Sequence, residues 1–145
     1  MHGTVPVPYK EVEVKLELAP KNLSALNKIR RLSPTQSTPK RTTEVSVYFD
    51  TDKQKLRKKG LILRVRRIGG RYLQTIKAAN NVEPLERDEW EAELSGREPD
   101  LNLAKDTALE PLITNKLRRR LRPLFETRVQ RTVYPVVANS HAKLR

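Results

Sequence analysis

The sequence contains no cysteine. Disulfide staples and thiolate metal centres are excluded, and any metal would have to be held by oxygen or by histidine. Histidine is nearly absent as well, since His2 and His141 stand near the two ends of the 145 residues. Carboxylates are therefore the candidate ligands, and hard cations such as magnesium or manganese suit them. No apolar run approaches the length of a membrane span, and the N-terminus lacks the basic-then-apolar pattern of a secretory signal. A soluble, cytoplasmic protein with no membrane partner is expected. There is no Ser/His/Asp or Cys/His set for nucleophilic catalysis, no Walker-type glycine loop, and no repeat at fixed spacing.

What the chain has in excess is positive charge. Lys and Arg number 30 against 17 Asp and Glu, a formal net charge of +13. Such an excess points to a polyanionic partner: nucleic acid, an anionic surface, or a small, densely charged phosphate compound. The length fits a single domain over residues 1–145 with a core of its own.

Period-two alternation is the main structural signal. In Glu11-Val12-Glu13-Val14-Lys15-Leu16-Glu17-Leu18 the charged residues share one strand face and the apolar residues the other, and the apolar face needs a core. The charged face is either solvated surface or a place where a divalent cation relieves repulsion between neighbouring carboxylates. After Pro20, the spacing of Leu23, Leu26, Ile29 and Leu32 predicts a helix ended by Ser33-Pro34, and residues 33–42 read as a loop. A strand is expected over Thr43–Thr51, with Asp50-Thr51-Asp52 capping a short basic helix that Gly60 closes. Residues 61–68 and 71–78 form a hairpin across Gly69-Gly70. A charged strand over 83–94, two helical pieces over 101–122 broken at Pro111, and a last strand over 129–137 with an edge or bulge at Pro135 complete about six strands.

The strands share a habit. Arg64 and Arg66 lie opposite Leu63 and Val65; Lys77 lies opposite Ile76; Arg87, Glu89, Glu91 and Glu93 lie opposite Trp90, Ala92 and Leu94. Arg131 falls on the face of Val129 and Val133. If the charged faces converge, they line a cavity that must hold water, ion pairs, or an anion with its metal, because unpaired charges in a dry interior are very costly. Tyr72 and Trp90 fall opposite the charged face and are expected to pack, not to stack on a ligand.

Read together, Glu11-x-Glu13-x-Lys15, Tyr48-Phe49-Asp50-Thr51, Leu56-Arg57-Lys58-Lys59-Gly60-Leu61, Leu63-Arg64-Val65-Arg66-Arg67, Gln74-Thr75-Ile76-Lys77, Arg87-x-Glu89-x-Glu91 and Leu124-Phe125-Glu126-Thr127 leading to Arg131 resemble the CYTH domain, or triphosphate tunnel metalloenzyme, family. Its relatives include inorganic triphosphatases, class IV adenylate cyclases and thiamine triphosphatases. The resemblance implies an α+β fold: an antiparallel β-barrel forming a triphosphate tunnel, with flanking helices. It implies Glu11, Glu13 and Lys15 as the catalytic motif. Lys15, Arg64, Arg66, Lys77, Arg87 and Arg131 would contact phosphate. Metal would be held by Glu11 and Glu13, with Glu89 and Glu91 sharing in metal binding or orienting the basic residues. The implied activity is hydrolysis of inorganic triphosphate or another triphosphate compound, dependent on Mg2+ or Mn2+.

The family pattern brings a second acidic set from its last strands, and here nothing acidic follows Glu126. The expectation is a domain truncated at its C-terminal side, with an open barrel whose strand edges invite a homodimer or other edge pairing. Two alternatives remain: a polyphosphate- or nucleotide-binding module without catalysis, or an adenylate cyclase. A nucleic-acid-binding reading rests on Arg118-Arg119-Arg120 and on Lys53, Lys55, Arg57, Lys58 and Lys59, but such runs are more often solvated helix faces and these carry no interleaved aromatics, so nucleic acid is not the expected partner.

Overall fold

The computed structural model describes residues 9–26, 28, 39–79 and 86–134. They form six strands: β1 (Tyr9–Val12), β2 (Lys40–Asp50), β3 (Leu61–Ile68), β4 (Arg71–Ala79), β5 (Glu86–Leu94) and β6 (Arg122–Val133). Their order in one sheet is β1-β5-β4-β3-β2-β6. The pairs β1/β5, β5/β4, β4/β3 and β3/β2 are all antiparallel, so the described residues form an open, antiparallel sheet with a few short helices. Among the described residues no helix is long and apolar enough to cross a membrane.

The chain divides into two compact units, residues 1–14 with 43–129, and residues 15–42 with 130–145. In the first, alternation along the strands builds an apolar face. Phe49, Leu63, Ile76 and Trp90 lie on it, with Phe49 opposite Leu63, Leu63 opposite Ile76, and Ile76 opposite Trp90. This face is covered by α2 (Lys55–Lys58), by 3-10 turns at Leu101–Ala104 and Glu110–Leu112, and by α3 (Asn115–Arg120). Leu56, Leu101, Ala104, Leu109 and Leu117 from this layer join the sheet in one buried cluster. Trp90 is buried and Tyr72 packs against the cluster, as their place opposite the charged face requires.

Two polar devices fasten the helical layer. Asp50 is buried, and its carboxylate accepts from the backbone N–H groups of Thr51 at 2.7 Å, Leu56 at 2.9 Å and Arg57 at 3.1 Å, the last two being donors in the first turn of α2. Gly60 follows with φ +70°, a conformation that costs glycine nothing. The Gln74 side chain accepts from Asp100 N–H at 2.9 Å and donates to the Asp100 carbonyl at 3.0 Å. That pair of hydrogen bonds ties the 3-10 segment to β4.

Several elements differ from the sequence expectation. The strand expected over 11–18 stops at Val12, and Val12, Val14, Leu16 and Leu18 are exposed by 63%, 70%, 89% and 42%. Alternation alone names a face but supplies nothing to bury it, and residues 13–19 have no strand structure. The helix after Pro20 is a 3-10 turn, Pro20–Asn22, followed by the single turn α1 (Leu23–Leu26), with no buried residue. Ile29, Leu32, residues 33–38, residues 83–85 and residues 135–137 lie outside the described residues. The helices expected over 101–122 are shorter, because Pro111 sits inside a 3-10 turn and Thr114 starts α3 anew by accepting from Leu117 N–H at 3.1 Å. The last strand begins at Arg122, seven residues before Val129. It lies at the end of the sheet and is mostly exposed, as an edge strand that tolerates Pro123.

In the second unit, 3-10 turn and α1 are held by local bonds, Asn22 N–H to Ala19 carbonyl at 2.8 Å and Lys28 N–H to Ala25 carbonyl at 3.1 Å.

Candidate functional site

The opposite face of the sheet is polar, and strand register fixes its membership. Arg64 lies across from Tyr48 on β2 and Thr75 on β4, and Arg66 across from Ser46 and Leu73. Lys77 pairs with Glu89, and Thr75 with Glu91. Arg87 lies across from Ala79 on one side and Glu11 on the other. The six positions Arg64, Arg66, Lys77, Arg87, Glu89 and Glu91 therefore occupy one face, and the register of β1 brings Glu11 beside it.

The ion pairs on this face are graded. Lys77 Nζ sits 2.8 Å from Glu89 Oε2, and Arg66 Nη1 sits 3.0 Å from Glu44 Oε2. Arg66 Nε also donates to Ser46 Oγ at 2.9 Å. Arg64 is different. It is 8% exposed, Nη2 donates to Thr75 Oγ1 at 3.0 Å, and Nε is buried with no hydrogen-bond partner. No carboxylate pairs with it among the described residues. A guanidinium that is always charged, buried, and only half satisfied is a standing demand for an anion. Beside it, the Tyr48 ring stacks on Phe125 with centroids 4.6 Å apart and planes at 16°, which fixes that wall of the face.

Glu93 continues the face at its exposed margin, where Arg71 grips it with two hydrogen bonds, Nε to Oε1 at 3.1 Å and Nη2 to Oε2 at 3.0 Å. These bonds, and then the charge of Arg71, hold the Glu93 carboxyl below the usual carboxylate range. The same contacts raise the Arg71 guanidinium further above its ordinary value.

The remaining expected residues are placed differently. Glu13 follows β1, is exposed and is engaged by a neighbouring group. Lys15 and Arg131 belong to the second unit, both exposed and both engaged. His2 and His141 lie outside the described residues. Among the described residues no three His, Cys, Asp or Glu side chains converge as a metal-binding group. Glu44, Ser46 and Thr75 belong to the polar face, although nothing in the sequence reading had named them as site residues. The period-two rule that places Arg64 and Arg66 also places Glu44 and Ser46, which alternate with Val45 and Val47.

Comparison with known proteins agrees with this architecture. The CYTH domain family model matches residues 9–144. Among solved structures, a candidate adenylate cyclase from Bacillus halodurans superposes with a TM-score of 0.55 at 17% identity, covering 94% of this chain and 68% of that one. A candidate adenylyl cyclase from Hippeastrum, described as having a dominant triphosphatase activity, superposes with a TM-score of 0.54 at 17% identity, covering 81% of this chain and 62% of that one. The chain thus spans about two thirds of the length of these structural relatives. Among curated proteins no sequence matches.

Proposed function

The chain belongs to the CYTH domain family, and from that premise we propose that its polar sheet face binds a triphosphate compound and hydrolyses it with the help of a divalent metal. The observation that carries this reading is Arg64, a buried guanidinium with an unsatisfied Nε and, among the described residues, no carboxylate partner. Phosphate oxygens answer both needs at once, since an arginine fork binds them with two parallel hydrogen bonds. Lys77 and Arg66 add charge from positions fixed by Glu89 and Glu44, and Arg87 extends the basic row along β5. Phosphoryl transfer is helped mainly by positioning and charge neutralisation, which this row supplies.

The donor chemistry fits a hard divalent cation. Magnesium is commonly held by one or two carboxylates while substrate phosphates and water complete its shell, so two glutamates suffice and a preformed three-residue cluster is not required. Glu11 and Glu13 would hold it, with Glu91 on the same side of the sheet. When bound, the metal would draw charge from the phosphate oxygens and favour water as the nucleophile. In hydrolysis, a carboxylate of this face orients water toward the terminal phosphorus. The new P–O bond forms as the anhydride P–O bond breaks, the leaving phosphate chain takes the electron pair, and the water proton passes to the carboxylate or to solvent. The Glu89–Lys77 ion pair favours an orienting role for Glu89.

The test is hydrolysis of inorganic triphosphate with magnesium, with manganese and with chelator, beside calorimetric binding of the same compound to the native chain and to Arg64→Ala. Metal-dependent turnover, with affinity about tenfold or more weaker in the variant, is expected from the loss of a charged hydrogen-bonding partner. Native affinity in Arg64→Ala would remove the polar face from substrate binding. Binding without turnover would leave a binding module. The names of the Bacillus and Hippeastrum proteins supply the second reading, cyclisation of ATP, which the same assay detects by its cyclic product.

A further inference from the structure

The basic runs around residues 53–59 and 116–122 play no part in the chemistry of the polar face. They meet elsewhere. A cavity of about 550 Å³ lies between α2 and α3, lined by Lys53, Lys55, Lys58 and Lys59 from one side and by Lys116 and Arg120 from the other. The one acidic side chain in its wall among the described residues, Asp52, is taken up by Arg122, with Oδ2 and Nη2 3.2 Å apart. No carboxylate among the described residues pairs with the six other cations. Both helices pack through Leu56 and Leu117 onto the apolar side of the sheet, so this cavity lies across the sheet from Arg64.

The cations stand on anchored backbone. Asp50 fixes the start of α2 with three hydrogen bonds, two of them buried, Leu56 is 1% exposed and Leu117 2% exposed, and Thr114 caps α3. Six like charges held around a concavity repel one another and focus a positive field into it. A multivalent anion relieves that repulsion without reorganising the scaffold. Among the described residues the wall contains no aromatic side chain, and none of them offers a stacking platform for bases. Lysines dominate it, and they serve as point charges for phosphate without demanding one fixed orientation.

We propose that this cavity is a second anion site, distinct from the polar face, that takes a linear chain of condensed phosphates, whether free polyphosphate or the phosphate tail of a nucleotide.

Calorimetry with inorganic tripolyphosphate tests it on the full chain, on Arg64→Ala, on the triple variant Lys58→Gln, Lys116→Gln, Arg120→Gln, and on the combination. All three replaced side chains are exposed, and glutamine keeps their packing stems. The native chain is expected to bind at two sites, each variant to lose one, and the combination to lose both. In the Arg64→Ala background the triple change should weaken binding at least about tenfold. A triple variant that binds like the native chain would overturn the proposal, as would loss of all binding in Arg64→Ala alone. If Arg64→Ala changes nothing while the triple variant loses the binding, the second site stands and the proposed catalytic face fails. ATP titrated in parallel separates the sources. Equal binding of ATP and tripolyphosphate means that the phosphate tail is recognised, and preference for longer inorganic chains means free polyphosphate. Tighter, triple-sensitive binding of a mixed-sequence single-stranded RNA of equal charge would assign the cavity to nucleic acid and overturn the ligand class.

Discussion

Lys77 and Glu89 stand opposite each other on β4 and β5, Nζ to Oε2 2.8 Å, with 15% and 4% of their side chains exposed. A pair this buried owes its standing to both members. Its net worth against an apolar pair is small, but removing one partner strands a charge in a poorly solvated place. Glu89→Ala is therefore expected to destabilise the fold by about 3 kcal/mol, read from the urea unfolding midpoint. Glu89→Gln, which keeps a hydrogen-bond acceptor for Lys77, should cost less. Equal midpoints for native and Glu89→Ala chains would show that Lys77 needs no counter-charge.

Asp50 predicts a local effect. Its carboxylate accepts three backbone N–H bonds at 2.7, 2.9 and 3.1 Å, and each orphaned buried donor costs about 1–3 kcal/mol. Asp50→Ala should free the first turn of α2, visible as faster hydrogen exchange at Leu56 and Arg57 than at β3 or β4. The same variant should loosen the cations that α2 presents. Uniform exchange across the chain would mean that the variant unfolds globally and that Asp50 is not a local cap.

These two residues also mark what the sequence could say. Alternation put Lys77 and Glu89 on the charged side of their strands, and the hairpin at Gly69-Gly70 fixed the neighbours of Lys77 on β3, because a one-residue slip would turn Ile76 out of the core. The Asp50 cap was legible from its place before a short basic run. The pairing partners were not: whether Arg66 meets Glu44 while Arg64 meets no carboxylate among the described residues depends on the register between β2 and β3, which no local pattern encodes. The same gap explains Val14 and Leu16. Their alternation looked like a buried face, yet burial requires an opposing layer that the local sequence does not name. The basic cavity was invisible for a related reason, since residues 53–59 and 116–122 are distant in the chain and are brought together by the core that Leu56 and Leu117 share.

The Arg71–Glu93 pair carries a pH prediction. Hydrogen bonds from Arg71, and then its charge, hold the Glu93 carboxyl below the usual carboxylate range. A carboxyl whose folded value is depressed contributes stability that is present above its unfolded pKa and is lost as pH falls through the folded one. The pair is exposed, so the effect on stability is small, and the direct reading is the titration itself. In Arg71→Ala, the Glu93 carboxyl should titrate at higher pH by NMR, back toward its ordinary range. No movement would show that the fork between the two side chains is not held in solution.

The metal reading makes the sharpest demand on β1. Register puts Glu11 across from Arg87, Glu13 follows the end of the strand, and β1 lies at the end of the sheet with β5 as its neighbour. Replacing both glutamates with glutamine keeps their size and removes two negative charges from ligands that a hard cation requires. Glutamine keeps the size of both side chains, so the unfolding free energy should stay within about 1 kcal/mol of the native value. Manganese affinity, followed by electron paramagnetic resonance of the free ion, should fall at least about tenfold. Metal-dependent hydrolysis of triphosphate should drop by about a hundredfold or more, the scale of several kcal/mol of lost transition-state stabilisation. Binding of triphosphate without metal should persist, because Arg64 and its basic neighbours are intact. Unchanged manganese affinity in the double variant would move the metal away from β1 and leave Glu89 and Glu91 as the carboxylates to replace next.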